Sequence, residues 1–207
     1  MPANQSHGFL WESEIKTKVF GILGPDPYTA VHDVDRSRNT LNPNENVSIK
    51  TTGSDVLCMG DALRVFSYDE GVEHTCIAIR YTQDAEQKTL THVYELNLMH
   101  RDLLWGHVVK EDIAELDALV RSMPPGRRDP GIDRAITMKK RELNAKSGAI
   151  RFNPKLNSTT QRRLQCTIPK FPTYPGLITS VTTEPLVRGI QIAAFVLSGR
   201  RIRNRRV

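Results

Sequence analysis

No apolar stretch in this chain is long enough to do more than cross one small domain. The longest of them, IQIAAFVL (190–197), spans eight residues and already contains a glutamine. A helix that crosses a bilayer needs about 20 apolar residues, so no membrane-spanning segment is expected. The hydrophobic core must instead be assembled from short, separate pieces. Hydrophobic residues make up 39% of the chain and charged residues 25%, proportions that fit a globular protein and exclude wholesale disorder. The 207 residues suit one domain, or one domain with a modest appendage. The opening MPANQSHGFLWE has no basic stretch followed by an apolar core, so no secretory leader is expected. Cys58, Cys76 and Cys166 are odd in number and far apart, which suggests neither a disulfide framework nor a zinc spacing. A reducing, intracellular setting (cytoplasm or nucleus) is the natural expectation.

The pieces alternate in type. GFLWESEIKTKVFGI (8–22) reads as a helix with Trp11, Ile15, Lys18 and Ile22 on one face and Glu12 and Val19 beside it. YTAVHDVD (28–35) reads as a short strand, and SRNTLNPNEN (37–46) as a polar loop. NVSIKTT (46–52) alternates, with Val47 and Ile49 on one face and Ser48 and Lys50 on the other. VLCMGDALRVF (56–66) is compatible with a helix despite Gly60. HTCIAIRYTQ and LTHVYELNL, separated by DAEQK, predict a hairpin. KEDIAELDALVRS (110–122) places Ile113, Leu116, Leu119 and Val120 on one helical face, ended by Pro124-Pro125-Gly126. The charged segment 127–150 reads as a linker or helical spacer, and strands are expected beyond it. The predicted class is α/β (α+β). Its divisions are a core over 1–126, the linker or helix 127–150, a basic β-rich region 151–199 and a basic tail 200–207.

Charge is distributed unevenly. The net +6 resolves into −8 over residues 1–133 and +14 over residues 134–207. A basic third of this kind points to a polyanion, and nucleic acid is the usual one. A solvated basic face is the plainer alternative. Candidate phosphate-contacting residues are Arg162, Arg163, Lys170, Arg188, Arg200, Arg201, Arg203, Arg205 and Arg206, because arginine forks suit phosphate oxygens. Aromatic residues are sparse among them, which favours backbone contact to duplex DNA over stacking on single strands.

The strongest constellation of chemistry-bearing residues lies in the first 50 positions. Glu12 lies on the predicted first helix, with Asp33 and Asp35 at the end of the first strand, and Ser48 and Lys50 on one face of the next. Neighbouring carboxylates can hold a magnesium ion (Mg2+) through oxygen. A lysine beside them can orient a water and offset charge developing on a phosphate. There is no GxxxxGK[ST], GxGxxG, HExxH or GxSxG, and the six histidines show no ligand spacing.

The order HGFLWE (7–12), HDVD (32–35), SIK (48–50) resembles the PD-(D/E)xK superfamily of restriction-endonuclease-like nucleases, in a variant SxK form and with a viral source in view. The resemblance covers roughly the first 100 residues. It implies a core with a central mixed sheet flanked by helices and the activity of a type II restriction-like, magnesium-dependent DNA endonuclease, of a kind that is often a homodimer. By this resemblance Glu12 is the helix acid (Glu14 second), Asp33 or Asp35 the metal aspartate, and Lys50 the catalytic lysine. Serine stands where an acid is usual. Asp55 and Asp61 are candidates to replace that acid, and Glu45 could approach from the loop. The rival expectation is a non-catalytic nucleic-acid-associated or virion protein, at work inside a virion, that binds through its basic C-terminal third.

Overall fold

The computed structural model describes residues 6–24, 31–124, 126–156 and 162–197, with side chains from residue 10 onward. In chain order the elements are α1 (Ser6–Lys18), β1 (Glu45–Thr52), β2 (Val56–Asp61), α2 (Ala62–Phe66), β3 (Glu73–Asp84) and β4 (Gln87–Asn97). There follow α3 (Arg101–Trp105), α4 (Lys110–Ser122), α5 (Pro130–Lys146), β5 (Arg151–Lys155) and β6 (Arg163–Pro169). The chain closes with β7 (Ile178–Thr182), β8 (Leu186–Val187), β9 (Ile190–Gln191) and β10 (Phe195–Leu197). The protein is mixed α+β. Among the described residues no helix is long and apolar enough to cross a membrane.

Two compact units are assembled from discontinuous segments. The first takes residues 1–54, 75–96 and 179–207, and the second takes 55–74 and 97–178. Neither unit ends at the expected divisions after 126 or 150.

In the first unit β1, β3, β4 and β10 line up in that order, and β7 also pairs with β4. One face of this sheet is buried by α1. Trp11, Ile15 and Val19 join Val47, Ile49, Ile77, Ile79, Val93 and Val196 in one apolar cluster. The Trp11 indole N–H donates to the Ala193 carbonyl (2.8 Å), tying the helix to the far end of the chain.

A buried ionic network closes the same unit. Glu45, the first residue of β1, accepts two bonds from the Arg188 guanidinium (2.8 and 2.6 Å). It also accepts bonds from the Thr75 hydroxyl (2.6 Å) and the Asn39 amide (3.0 Å). Arg188 reaches Glu95 at 3.3 Å and lies over the Phe20 ring. It sits with Gly189 at the tip of the β8–β9 hairpin, and both have positive φ (51° and 80°). That geometry matches the twist of a tight hairpin, and for a non-glycine residue it has to be held in place by surrounding contacts.

In the second unit β6 lies between β2 and β5, antiparallel to both. The helices α4 and α5 pack on one another and on this sheet. Ile113, Leu116 and Val120 of α4 are buried, as are Ile136 and Leu143 of α5. Trp105 meets Phe66 edge-on, with centroids 4.9 Å apart. Asp117 is buried, accepting from Arg121 (2.6 Å) and from the Leu164 backbone N–H (3.2 Å).

Several elements differ from the sequence expectation. Of 28–35, residues 28–30 lie outside the described set, and the rest contributes a single bridge, Val34 to Val47, rather than a strand. VLCMGDALRVF is a strand and then a short helix, because Gly60 has a φ of +94° and the register shifts between Cys58 and Gly60. The hairpin turn is Ala85-Glu86, so β3 and β4 absorb most of DAEQK. Of the two alternatives for 127–150, the helix is the one formed, over residues 130–146 and packed, started by Asp129, whose carboxylate accepts from Gly131 N and Ile132 N. In α1, Lys18 is exposed and Lys16 is the buried lysine.

Arg188→Met should destabilise the protein by about 3 kcal/mol at neutral pH by stranding the Glu45 carboxylate, measured by urea unfolding. Burial pushes Glu45 upward, but the bonds from Arg188, Thr75 and Asn39 hold its carboxyl below the usual carboxylate range. A depressed carboxylate stabilises above its unfolded pKa and loses that contribution as pH falls. The gap between wild type and variant should therefore narrow toward pH about 4; a gap that widens in acid would contradict the network's role. Gly106→Ala should cost about 2 kcal/mol, since Gly106 has a φ of +58° and an added Cβ would overlap the Lys146 carbonyl.

Candidate functional site

The first unit brings together two of the residues the sequence singles out, Asp33 and Lys50. The Val34–Val47 bridge (2.9 and 2.8 Å) lays the 31–34 segment along β1. Asp33 is thereby set against residues 49 and 50. Its Oδ2 accepts from the Ile49 backbone N–H at 2.6 Å and from Lys50 Nζ at 2.9 Å. Val47 and Ile49 face the core, which leaves Lys50 on the opposite face of β1, where its side chain is 27% exposed.

Glu12 reaches the same neighbourhood from α1. Burial raises its pKa, the charge of Asp33 raises it further, and Lys16 and Lys50 pull it back. The four charged groups therefore share one electrostatic field. Lys16 Nζ lies 2.5 Å from Glu12 Oε1. Among the described residues, Asp33 Oδ1 and Glu12 Oε2 take no hydrogen bond.

The remaining acidic candidates are engaged elsewhere. Asp35 caps a 3-10 turn over Arg36–Arg38, accepting from the Ser37 N–H and hydroxyl (3.0 and 2.7 Å), and these bonds lower its pKa. Glu14 accepts from Ala193 N (3.0 Å) and pairs with Lys18. Glu45 belongs to the Arg188 network. Asp55 and Asp61 fall in the second unit, where Asp61 caps α2 by accepting from Arg64 N (2.9 Å). Ser48 is buried. Two pockets, of about 480 Å³ beside His100 and Asp102 and about 230 Å³ beside Glu95 and Arg188, do not include Glu12, Asp33 or Lys50.

The donor set suits a hard cation in small measure. Among the described residues no group of three or more His, Cys, Asp or Glu is placed to hold a metal. Magnesium, however, keeps several waters and is commonly held by one or two carboxylates, and Glu12 and Asp33 each have an oxygen outside the bonds above.

The basic candidates are dispersed. Arg188 is turned inward onto Glu45 and Glu95. Arg162 donates to the Met123 carbonyl. Arg163 and Lys170 are exposed in the second unit. Arg200, Arg201, Arg203, Arg205 and Arg206 lie outside the described residues. In α5, Lys139 pairs with Asp112, Glu115 and Glu142, and Lys146 with Asp112 and Glu142. The opposition of −8 and +14 along the chain therefore does not carry over into the units, each of which holds a formal +3.

Lys16 is the residue the sequence reading passed over. Its signal was the i, i+4 spacing from Glu12 next to the buried Ile15.

No family model matches this chain, and no curated protein or solved structure matches it.

Asp33→Asn should lower the pKa of Glu12, because it removes a like charge and releases Lys50 from its partner. Carboxyl 13C shifts followed against pH would read this; an unmoved or raised Glu12 titration would show that the two carboxylates do not share a field.

Proposed function

We propose that the first unit is a magnesium-dependent hydrolase of DNA phosphodiester bonds, built on a restriction-endonuclease-like core. One observation supports this reading above the others: Asp33 and Lys50, distant in sequence, are ion-paired through one bridge, and the charges of both act on Glu12 of α1. Glu12 Oε2 and Asp33 Oδ1 would hold the ion, which when bound would polarise the phosphate and lower the pKa of a bound water. Lys50 would leave Asp33 to position that water and to offset negative charge developing on the phosphate. The five arginines of 200–206 would hold the DNA backbone with little regard to sequence.

A second reading has its own support. Ser48 stands where an acid is usual, and both carboxylates already have a lysine partner. These features favour a nucleic-acid-associated protein that binds without cutting.

Nicking of supercoiled plasmid with and without Mg2+ separates the two. The nuclease reading expects cutting that chelation abolishes and that falls by roughly a hundredfold or more in Asp33→Ala, Lys50→Ala and Glu12→Ala. Undiminished cutting in all three variants would remove the site assignment. Binding without cutting across several divalent ions, with a log–log salt slope of about one unit per phosphate contacted, would establish the second reading.

A further inference from the structure

Within the second unit, the buried residue Met123 at the end of α4 anchors two arginine pairs that are distant in sequence. Its carbonyl accepts from the Arg162 guanidinium, and its sulfur accepts from the Asp129 backbone N–H (3.3 Å). The first bond fixes Arg162-Arg163 at the start of β6. The second returns the loop that carries Arg127-Arg128 to the same place. Asp117 of α4 secures the junction by accepting from Leu164 N (3.2 Å). Lys155 joins the group because it lies directly opposite Arg163 in the β5–β6 register. Both are exposed, whereas Phe152, Leu164 and Cys166 on the other face are buried.

The acids of this end are already committed. Asp117 pairs with Arg121 (2.6 Å), on which Asp61 also acts, Asp133 faces Arg128 (3.7 Å), and Asp129 caps α5. Among the described residues, Arg127, Lys155, Arg162 and Arg163 have no ion-pair partner. The Gln165 amide turns its oxygen to Arg163 (3.1 and 2.9 Å), and Arg162 meets a carbonyl, so neither bond cancels a charge. Like charges directly opposite on paired strands, with Cβ atoms roughly 5 Å apart, repel. We propose that this end of the second unit is a docking surface for the phosphate backbone of duplex nucleic acid. The surface needs neither the Asp33–Lys50 pair nor the arginines of 200–206. A phosphate between Lys155 and Arg163 would relieve their repulsion and meet the arginine fork. An acidic protein offers the same charge, but protein interfaces are centred on apolar and aromatic anchors. Among the described residues of 119–129 and 155–164, no large hydrophobic side chain is exposed, and phosphate contacts need none.

Anisotropy titration of a labelled DNA duplex with the full chain, over a range of salt, tests this. One variant is Arg127→Gln/Lys155→Gln/Arg163→Gln, a second replaces the five arginines of 200–206 with glutamine, and a third combines them. Arg162 is left in place because its bond to Met123 is structural. The triple variant should lower the log–log salt slope by about three units, one per phosphate contact. The tail variant should keep binding that the combined variant loses. Binding abolished in the tail variant and unchanged in the triple variant overturns the surface and leaves the tail its role. No binding by the wild type also overturns it. Poly-glutamate that competes as strongly as the duplex would assign this end to an acidic protein and overturn it too. Should the triple variant not fold, Lys155→Glu decides. By exchanging a repulsion for a cross-strand ion pair, it should raise the urea midpoint while weakening duplex binding, and unchanged binding overturns the proposal.

Discussion

The first unit depends on the carboxylate of Glu45. Its bonds to Arg188, Thr75 and Asn39 join the start of β1 to β3, to the loop before β1 and to the β8–β9 hairpin, and Arg188 extends the connection to β4 through Glu95. These are sequence-distant pieces, and each is too short to hold its own place. An ion pair buried this far is worth having only when its remaining lone pairs and protons are satisfied. Here the hydroxyl and amide partners meet that condition. The same bonds hold Arg188 in a backbone conformation that a non-glycine residue adopts only under constraint. They also explain why an arginine drawn from a basic segment is structural rather than displayed to solvent.

The candidate site is built on a smaller version of the same principle. One bridge, Val34 to Val47, brings a loop aspartate beside a strand lysine. The core hydrophobes on either side of Ser48 fix which face of β1 Lys50 occupies. Opposite charges pair locally in both units. Lys139 and Lys146 of α5 are answered by acids of α4, as Lys16 and Lys50 are answered by Glu12 and Asp33. The segregation of charge along the sequence does not follow the two units, each of which holds a formal +3.

How much was legible followed the strength of the local signal. The 3.6-residue period over 110–122 and the alternation in β1 were readable because packing and propensity agree there. VLCMGDALRVF was misread because a positive-φ glycine changes the element midway, and an apolar run does not announce its period. Helix α3, five residues long, leaves no period to find. Within the site, spacing nominated Glu12 and Lys50 but could not choose between Asp33 and Asp35. The choice is made by the turn at Ser37, which consumes Asp35. Lys16 is hidden in the sequence because the period that aligns Trp11, Ile15 and Ile22 also takes in Lys18, and only the packing shows which lysine turns inward.

The bond between Trp11 and Ala193 spans 182 residues, which gives the order of synthesis a meaning. As the chain leaves the ribosome, the helix that carries Glu12 emerges well before its docking partner. All segments of the second unit, ending at residue 178, precede strand β10 and the 192–194 stretch. The second unit can complete its sheet while the first still has an exposed apolar helix. That interval is one of long-range closure, slow by nature and open to aggregation. The helix that carries Glu12 can take its docked position only after residues 192–194 have emerged.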